Sequence, residues 1–126
     1  MHESLMQAAR NAREQAYCRY SHFAVGAALL CRDGSIYTGC NVENGSYSLG
    51  ICAERTAFLK AISDGKRDFA AIAICGGTEN TSPDTPCPPC GACRQVMAEF
   101  CGDDFAVILA DGVHTLGELL PVRFKL

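Results

Sequence analysis

The sequence of 126 residues has no tryptophan, only three histidines and no excess of basic residues. Its formal net charge is −3, whereas nucleic-acid-binding proteins usually carry a basic excess, so this class is disfavoured. The longest nearly apolar run, Phe23–Cys31, is far shorter than the ~18 residues of a membrane-spanning helix. The first residues contain no basic segment leading into an apolar run, so no secretory signal is predicted.

The overall composition is typical of a globular protein. Hydrophobic residues make up 48% and charged residues 20% of the chain, a balance that excludes intrinsic disorder. We expect a chain of this length to form one domain, residues 1–126, with a core that needs no disulfide bonds.

Cysteine is the abundant residue: the chain has nine, and an odd number cannot pair completely within one molecule. Without a secretory signal we expect a cytoplasmic protein, in which cysteines bind metals or act in catalysis. A mature secreted fragment that has lost its signal is the alternative. Five cysteines lie in apolar surroundings and are expected to be buried as small hydrophobic residues: Cys18, Cys31, Cys40, Cys75 and Cys101.

The first part of the chain predicts a helix followed by an antiparallel hairpin. Apolar residues recur with helical spacing between Leu5 and Ala16. The run Phe23–Cys31 fits a buried strand, Asp33-Gly34 is a strong turn signal, and residues 35–42 return as the second strand.

The remainder alternates helical and strand patterns. Helices are predicted over residues 51–62, from Cys90 or Cys93 to Phe100, and briefly over 116–120. Strands are predicted over residues 69–75, 105–110 and 122–125, and residues 76–89 form a loop. The pattern predicts an α/β fold, a three-layer α/β/α sandwich with a mixed sheet of about five strands.

Two cysteine motifs stand where the two central helices begin. The first is Cys52-Ala53-Glu54-Arg55, and the second lies within residues 86–95. Thiolates suit zinc, and a helix N-terminus stabilises their negative charge. Three cysteine ligands with an open fourth position are typical of a catalytic zinc site, in which the metal acidifies bound water.

The second motif contains two overlapping Pro-Cys-x-x-Cys matches, Cys87 with Cys90 and Cys90 with Cys93. In the first match the two intervening residues are prolines, which lack the backbone N–H groups that support a thiolate. We therefore favour Cys90 and Cys93.

A ligand followed two residues later by glutamate, and then by Pro-Cys-x-x-Cys, is the signature of zinc deaminases. Here Cys52 stands at the first ligand position in place of histidine, and Glu54 is the glutamate. Three segments carry a narrower likeness: residues 39–44, residues 52–57, and Pro89-Cys90-Gly91-Ala92-Cys93-Arg94-Gln95-Val96. The chain resembles the cytidine deaminase family, in its short, homotetrameric, three-cysteine form. Tyr20-Ser21-His22-Phe23 and Glu118-Leu119-Leu120-Pro121 extend the resemblance along nearly the whole chain.

The resemblance implies a function and a set of residue roles. The reaction would be hydrolytic deamination of free cytidine and 2′-deoxycytidine in pyrimidine salvage, with Glu54 moving the protons. One zinc ion per subunit would be held by Cys52, Cys90 and Cys93. The implied substrate-binding residues are Phe23, Asn41, Glu43, Ala53, Tyr47 and Phe124. The last two would reach a neighbouring subunit of a homotetramer, and neither nucleic acid nor membrane is an expected partner.

Three thiolates on one zinc ion leave a negative centre, which needs compensating positive charge. We predict that Arg55 supplies it by donating to the sulfur of Cys52 or Cys90. The chain departs from the family pattern at Arg19, where proline is frequent, and in a longer loop that carries Cys87.

Other interpretations remain open from the residues alone. Cys87 as a fourth ligand would make a closed, structural zinc site and hence an interaction module without activity. Cys90 and Cys93 also fit a redox dithiol, although this leaves Cys-Ala-Glu unexplained. A deaminase of the blasticidin type is the enzymatic alternative. Taken singly, the glutamate, asparagine and aromatic positions have ordinary structural explanations as helix-terminal, turn or packing residues.

Overall fold

The computed structural model describes residues 2–126. It contains four α-helices, five strands and one short 3₁₀ helix over the part of the chain it describes. In chain order these are α1 (His2–Arg13), β1 (Phe23–Cys31), β2 (Ile36–Cys40), the 3₁₀ helix (Tyr47–Leu49), α2 (Ala53–Ser63), β3 (Phe69–Thr78), α3 (Gly91–Phe100), β4 (Ala106–Leu109), β5 (Gly112–Thr115) and α4 (Leu116–Leu119).

The five strands form one mixed sheet in the order β2-β1-β3-β4-β5. Strand β1 pairs antiparallel with both β2 and β3, and β4 pairs antiparallel with β5. Strands β3 and β4 are parallel, and α3 lies in the crossover that connects them. Parallel neighbours require such a crossover, whereas β1 and β2 need only the short turn at Asp33-Gly34.

Helices cover both faces of this sheet. Helix α1 packs Leu5, Met6 and Ala9 against one face. Helices α2 and α3 cover the other face, where Phe58 and Met97 lie in the larger core. The predicted α/β/α sandwich is therefore confirmed.

Glycine residues shape both ends of α2. Gly65 follows the C-cap with φ of 90°, a left-handed conformation that glycine adopts without a steric penalty. At the other end, strand β2 runs close beneath the helix. A Cβ on Gly39 would lie 2.5 Å from the carbonyl oxygen of Ala53, so glycine permits this approach.

The predicted strand over residues 122–125 is wrong. The fifth strand is β5, which pairs with β4 through a tight turn that ends at Gly112, where φ is 134°. Asp111-Gly112 is the same type of turn signal that identified the first hairpin, but the strand it introduces has only four residues. Residues 120–126 contain no strand and follow α4 as an irregular segment.

The other predicted ends of helices and strands differ from the observed ends by a few residues. Helix α1 ends at Arg13 although the apolar spacing continues to Ala16, and β3 extends to Thr78 because it pairs with the start of β1. Within residues 2–126, none of the helices is both long enough and apolar enough to span a membrane.

Candidate metal centre and active site

The two cysteine motifs meet where α2 and α3 begin. Cys52 is the N-cap residue of α2, and Cys90 is the N-cap residue of α3. Neither side chain caps its own helix by a hydrogen bond, so both sulfurs are free to face a common point. Cys93 lies in the first turn of α3 and is 1% exposed. Two helix N-termini thus bring positive potential to three thiols.

The sulfur positions fit a zinc ion. The Sγ atoms of Cys52 and Cys90 are 3.8 Å apart, and those of Cys90 and Cys93 are 3.5 Å apart. Two zinc–sulfur bonds of about 2.3 Å at the tetrahedral angle separate the sulfurs by about 3.8 Å. Within residues 2–126, this trio is the only group of three or more histidine, cysteine or acidic residues whose ligand atoms all lie within 4.8 Å of one another.

Cys52 is electrostatically prepared to lose its proton. The hydrogen bond to Cys93 lowers the pKa of Cys52 to about 5, despite partial burial, and the Arg55 guanidinium acts in the same direction. The same hydrogen bond, together with burial, raises the pKa of Cys93. One thiolate therefore forms readily, and a bound cation would favour loss of the other protons.

Arg55 provides the positive charge at this cluster. Its Nη2 atom donates to the Sγ atom of Cys52 at 3.3 Å, and this bond raises the pKa of the guanidinium further above its usual range. Its Nε atom is buried and makes no hydrogen bond within the described part of the chain. The guanidinium is consequently aimed at the sulfurs rather than spread over several carbonyl groups.

Glu54 is the buried carboxyl group beside the sulfurs. Glu54 is 5% exposed, and among residues 2–126 it is the only charged residue that is buried. Burial raises the pKa of Glu54 to about 7, and the neighbouring Cys52 thiolate adds to the increase. A carboxyl group that titrates near neutral pH can both donate and accept a proton under physiological conditions.

Cys87 lies apart from the three clustered sulfurs. Its side chain packs over β3, where a Cβ on Gly76 would lie 2.7 Å from the Cys87 Sγ atom. Burial raises the pKa of the Cys87 thiol to about 11, which opposes thiolate formation. The three sulfurs that cluster are thus those of Cys52, Cys90 and Cys93.

A cavity of about 390 Å³ opens beside the cluster. Its lining combines the catalytic candidates with several positions predicted to bind substrate, among them Asn41, Glu43, Tyr47, Cys52, Ala53, Glu54, Arg55 and Cys90. Cys87, the alternative ligand of the second motif, also lines it, together with residues that were given no functional role from the sequence: Val25, Val42, Gly50, Ile51 and Pro88. Most of these belong to loops whose approach depends on the tertiary fold.

Asn41 and Glu43 also hold the start of β1 and the segment that precedes it. The Asn41 side chain accepts from the backbone N–H of Val25 at 2.9 Å and donates to the carbonyl oxygen of Phe23 at 2.8 Å. The Glu43 carboxylate accepts from the backbone N–H groups of Tyr20 and Ser21 and from the Ser21 hydroxyl. The Ser21 bonds hold the pKa of Glu43 below its usual range, so the carboxylate stays ionised.

Of the three aromatic residues predicted to contact substrate, one lies at the edge of the cavity and two lie outside it. Phe23, Tyr47 and Phe124 are 43%, 81% and 67% exposed. Tyr47 borders the cavity, whereas Phe23 and Phe124 are not among its lining residues in the described chain. One chain therefore assembles the metal centre but leaves its aromatic contacts open to solvent.

The five cysteines expected to be buried divide into two groups. Cys18, Cys31 and Cys75 are buried, while Cys40 and Cys101 are partly exposed. Burial raises the pKa of Cys75 and Cys101, as expected for thiols packed among apolar side chains. All nine thiols are free.

Comparison with known proteins agrees with this geometry. The family model described as "Cytidine and deoxycytidylate deaminase zinc-binding region" matches residues 1–109. The chain belongs to this family. It is accordingly a zinc-binding hydrolytic deaminase, and the three-cysteine cluster is the part of the chain that suits the metal.

Individual members of the deaminase family are similar over nearly the whole chain. A cytidine deaminase of Sporosarcina psychrophila is 52% identical over 98% of this chain and 90% of its own length. One of Halalkalibacterium halodurans is 51% identical over 97% and 92% of the respective chains. The crystal structure of a cytidine deaminase from Burkholderia pseudomallei superposes with a TM-score of 0.87 at 48% identity, covering 98% of this chain and 99% of that one.

Proposed function

We propose that residues 1–126 act as one catalytic domain that deaminates free cytidine and 2′-deoxycytidine to uridine and 2′-deoxyuridine with release of ammonia. The observation that carries this proposal is the buried Glu54 carboxyl group, which lies beside three clustered cysteine sulfurs in a cavity of nucleoside size. A purely structural metal site has no need of a protonatable carboxyl group facing an open cavity.

The proposed metal ligands are Cys52, Cys90 and Cys93, with one zinc ion in each subunit. When bound, zinc acidifies water and so supplies the nucleophile near neutral pH. The two helix N-termini and Arg55 counter the negative charge of three thiolates. A less negative centre acidifies water more strongly, so Arg55 is a positioning and electrostatic residue of this site.

Glu54 carries the protons in turn. In its neutral form it donates a proton to N3 of the pyrimidine, which makes C4 more electrophilic. It then accepts the proton of the water molecule that attacks C4 and passes a proton to the departing amine. Burial raises the pKa of this carboxyl group above its usual range, which favours the neutral, proton-donating form at the start of the reaction.

Asn41, Glu43 and the backbone of Ala53 are the proposed substrate contacts inside the cavity. The amide and carboxylate would bind ribose hydroxyl groups, and the Ala53 backbone would bind the pyrimidine. Arg55 is the one cationic residue among the lining residues of the described chain, and it already donates to Cys52. The cavity thus offers Glu43 but no free cation to a 5′-phosphate, which favours a nucleoside over a nucleotide.

The exposed aromatic residues support a homotetramer with shared sites. Tyr47 and Phe124 project large apolar surfaces that a monomer would leave in water. We propose that they complete the site of a neighbouring subunit, together with Phe23 of the receiving subunit. A small nucleoside substrate, cytoplasmic location and a role in pyrimidine salvage complete the proposal.

The proposal is tested by following cytidine loss through its ultraviolet absorbance. The unaltered chain should convert cytidine and deoxycytidine, whereas Glu54→Gln should bind zinc equally and lose nearly all turnover. An inactive unaltered chain with full zinc content would favour the structural-zinc alternative. Turnover of blasticidin in preference to cytidine would favour the second enzymatic alternative.

A further inference from the structure

Arg94 connects the segment that precedes the metal-site helix α3 to the end of helix α4. Its Nε atom donates to the carbonyl oxygen of Pro89 at 2.8 Å, and its Nη1 atom donates to the carbonyl oxygen of Leu119 at 2.7 Å. Pro89 directly precedes Cys90 and is fully buried, while Leu119 is the last residue of α4. One half-buried guanidinium thus links the start of the metal-site helix α3 to the end of α4.

The bond to Leu119 acts where the C-terminal segment leaves the fold. The last carbonyl groups of a helix lack partners within it, and a cation at this end is favourable. After α4 the chain has no strand or helix to hold it. Side chains anchor it instead, and Gln95, next to Arg94 on α3, donates to the carbonyl oxygen of Phe124 at 3.2 Å.

We propose that Arg94, assisted by Gln95, is a positioning residue that fixes the C-terminal segment and so places Phe124 for the neighbouring subunit's nucleoside site. This inference rests on the proposed function, in which Phe124 acts across a subunit boundary. Phe124 is 67% exposed and does not line the cavity of its own chain. Correct placement therefore depends on how the segment is held rather than on packing around the ring.

The central variant is Arg94→Met, which keeps a long stem but removes both hydrogen bonds. We expect KM for cytidine to rise about tenfold while kcat changes little, because binding contacts are lost and the proton-transfer group is untouched. Zinc content and tetramer size should equal those of the unaltered protein. Arg94→Lys, which can reach one carbonyl group at a time, should give a smaller increase in KM.

Arg67→Met is the matched control. Arg67 also donates to two backbone carbonyl groups, those of Ile62 and Lys66, but it lies beyond the end of α2. Its loss should leave KM unchanged. An equal rise in KM for both variants would overturn the positioning role, as would a fall in kcat with loss of zinc in Arg94→Met.

A double variant tests whether Arg94 acts through Phe124. In the Phe124→Ala background, Arg94→Met should raise KM no further, because the side chain that it positions is absent. Additive effects would contradict the proposal. If Arg94→Met does not fold, Gln95→Leu gives the same test through the weaker bond to Phe124, with a KM increase of about twofold to threefold expected.

Co-expression of Arg94→Met chains with Glu54→Gln chains tests action across subunits. All active sites then belong to Arg94→Met chains, and some of them receive correctly placed Phe124 from Glu54→Gln chains. A fraction of sites with the unaltered KM supports the proposal, and a uniformly high KM overturns it. Failure of the proposed function would appear differently, as an unaltered chain that does not deaminate cytidine.

Discussion

The metal centre and the aromatic rim of the same cavity differ in how completely one chain builds them. The sulfurs of Cys52, Cys90 and Cys93 cluster tightly around two helix starts, and Glu54 beside them is almost fully buried. Tyr47 and Phe124 lie mostly in solvent, and only Tyr47 borders the cavity. One chain thus brings together the groups proposed for the chemistry, whereas it leaves two of the aromatic residues proposed for substrate binding in solvent.

This difference separates two kinds of kinetic effect. Changes at the metal centre should act on turnover and zinc content, because the proposed roles of those groups are to hold the zinc ion and to move protons. Changes at the aromatic residues should act mainly on KM, because their proposed role is to contact the substrate without taking part in proton transfer.

The largest effect is expected at the metal ligands. Cys93→Ser should abolish zinc binding and reduce activity by more than the roughly 10–100-fold expected for losing an outer partner of a metal ligand. Cys87→Ser is the matched control and should retain zinc, since its thiol packs over Gly76 and lies outside the cluster of three sulfurs. Metal analysis and cytidine turnover check both variants. Zinc loss in Cys87→Ser would reverse the assignment of the ligands.

Removal of the positive charge beside the sulfurs should have the next largest effect. Arg55→Ala should keep the fold and lower kcat about 10–100-fold, because the centre becomes more negative. Kinetics at measured zinc occupancy provide the check. Unchanged turnover at full occupancy would contradict the electrostatic role of Arg55.

Truncation of the aromatic rim should have a smaller effect of a different kind. Phe124→Ala should raise KM for cytidine about tenfold with little change in kcat. Val122→Ala is the control, since Val122 is 90% exposed in the same segment but has no proposed contact. Steady-state kinetics would measure KM and kcat for both variants. A loss of kcat alone in Phe124→Ala would contradict a role of Phe124 in substrate binding.

The sequence anticipates the metal centre better than the rim because the determinants of the former are local. Cys90 and Cys93 are three positions apart, a spacing at which one helical turn brings side chains together, and Cys52 and Glu54 both lie at the start of α2. The hairpin at Asp33-Gly34 and the helices on both faces follow equally from local patterns. These features require little knowledge of distant parts of the chain.

Features that depend on distant contacts were not predictable in the same way. Strand β5 is short, half-exposed and recognisable mainly by its pairing with β4. The bond from Asn41 to Phe23, the bond between Glu43 and Tyr20, and the bond from Arg94 to Leu119 join residues far apart in the chain. No spacing pattern in the sequence predicts such bonds, because the same polar side chains are equally common on exposed surfaces.

The smallest effect is expected outside both regions, at the hairpin turn. Lys66, 2.8 Å from Asp33, and Ser35 hold the pKa of Asp33 below its usual range. A depressed pKa stabilises the fold above the ordinary value of about 4, and this contribution is lost as pH falls through the lower folded value. Asp33→Asn should therefore lower the thermal midpoint slightly at neutral pH and not in strong acid, with activity unchanged. A thermal shift of equal size at all pH values would contradict this.

The most direct test of the account is an anomalous-scattering map of the crystalline protein at the zinc absorption edge. We predict one peak per subunit, within bonding distance of the sulfurs of Cys52, Cys90 and Cys93 and facing the cavity beside Glu54. A peak bonded to Cys87, or one enclosed by four protein sulfurs, would contradict the account of an open catalytic site.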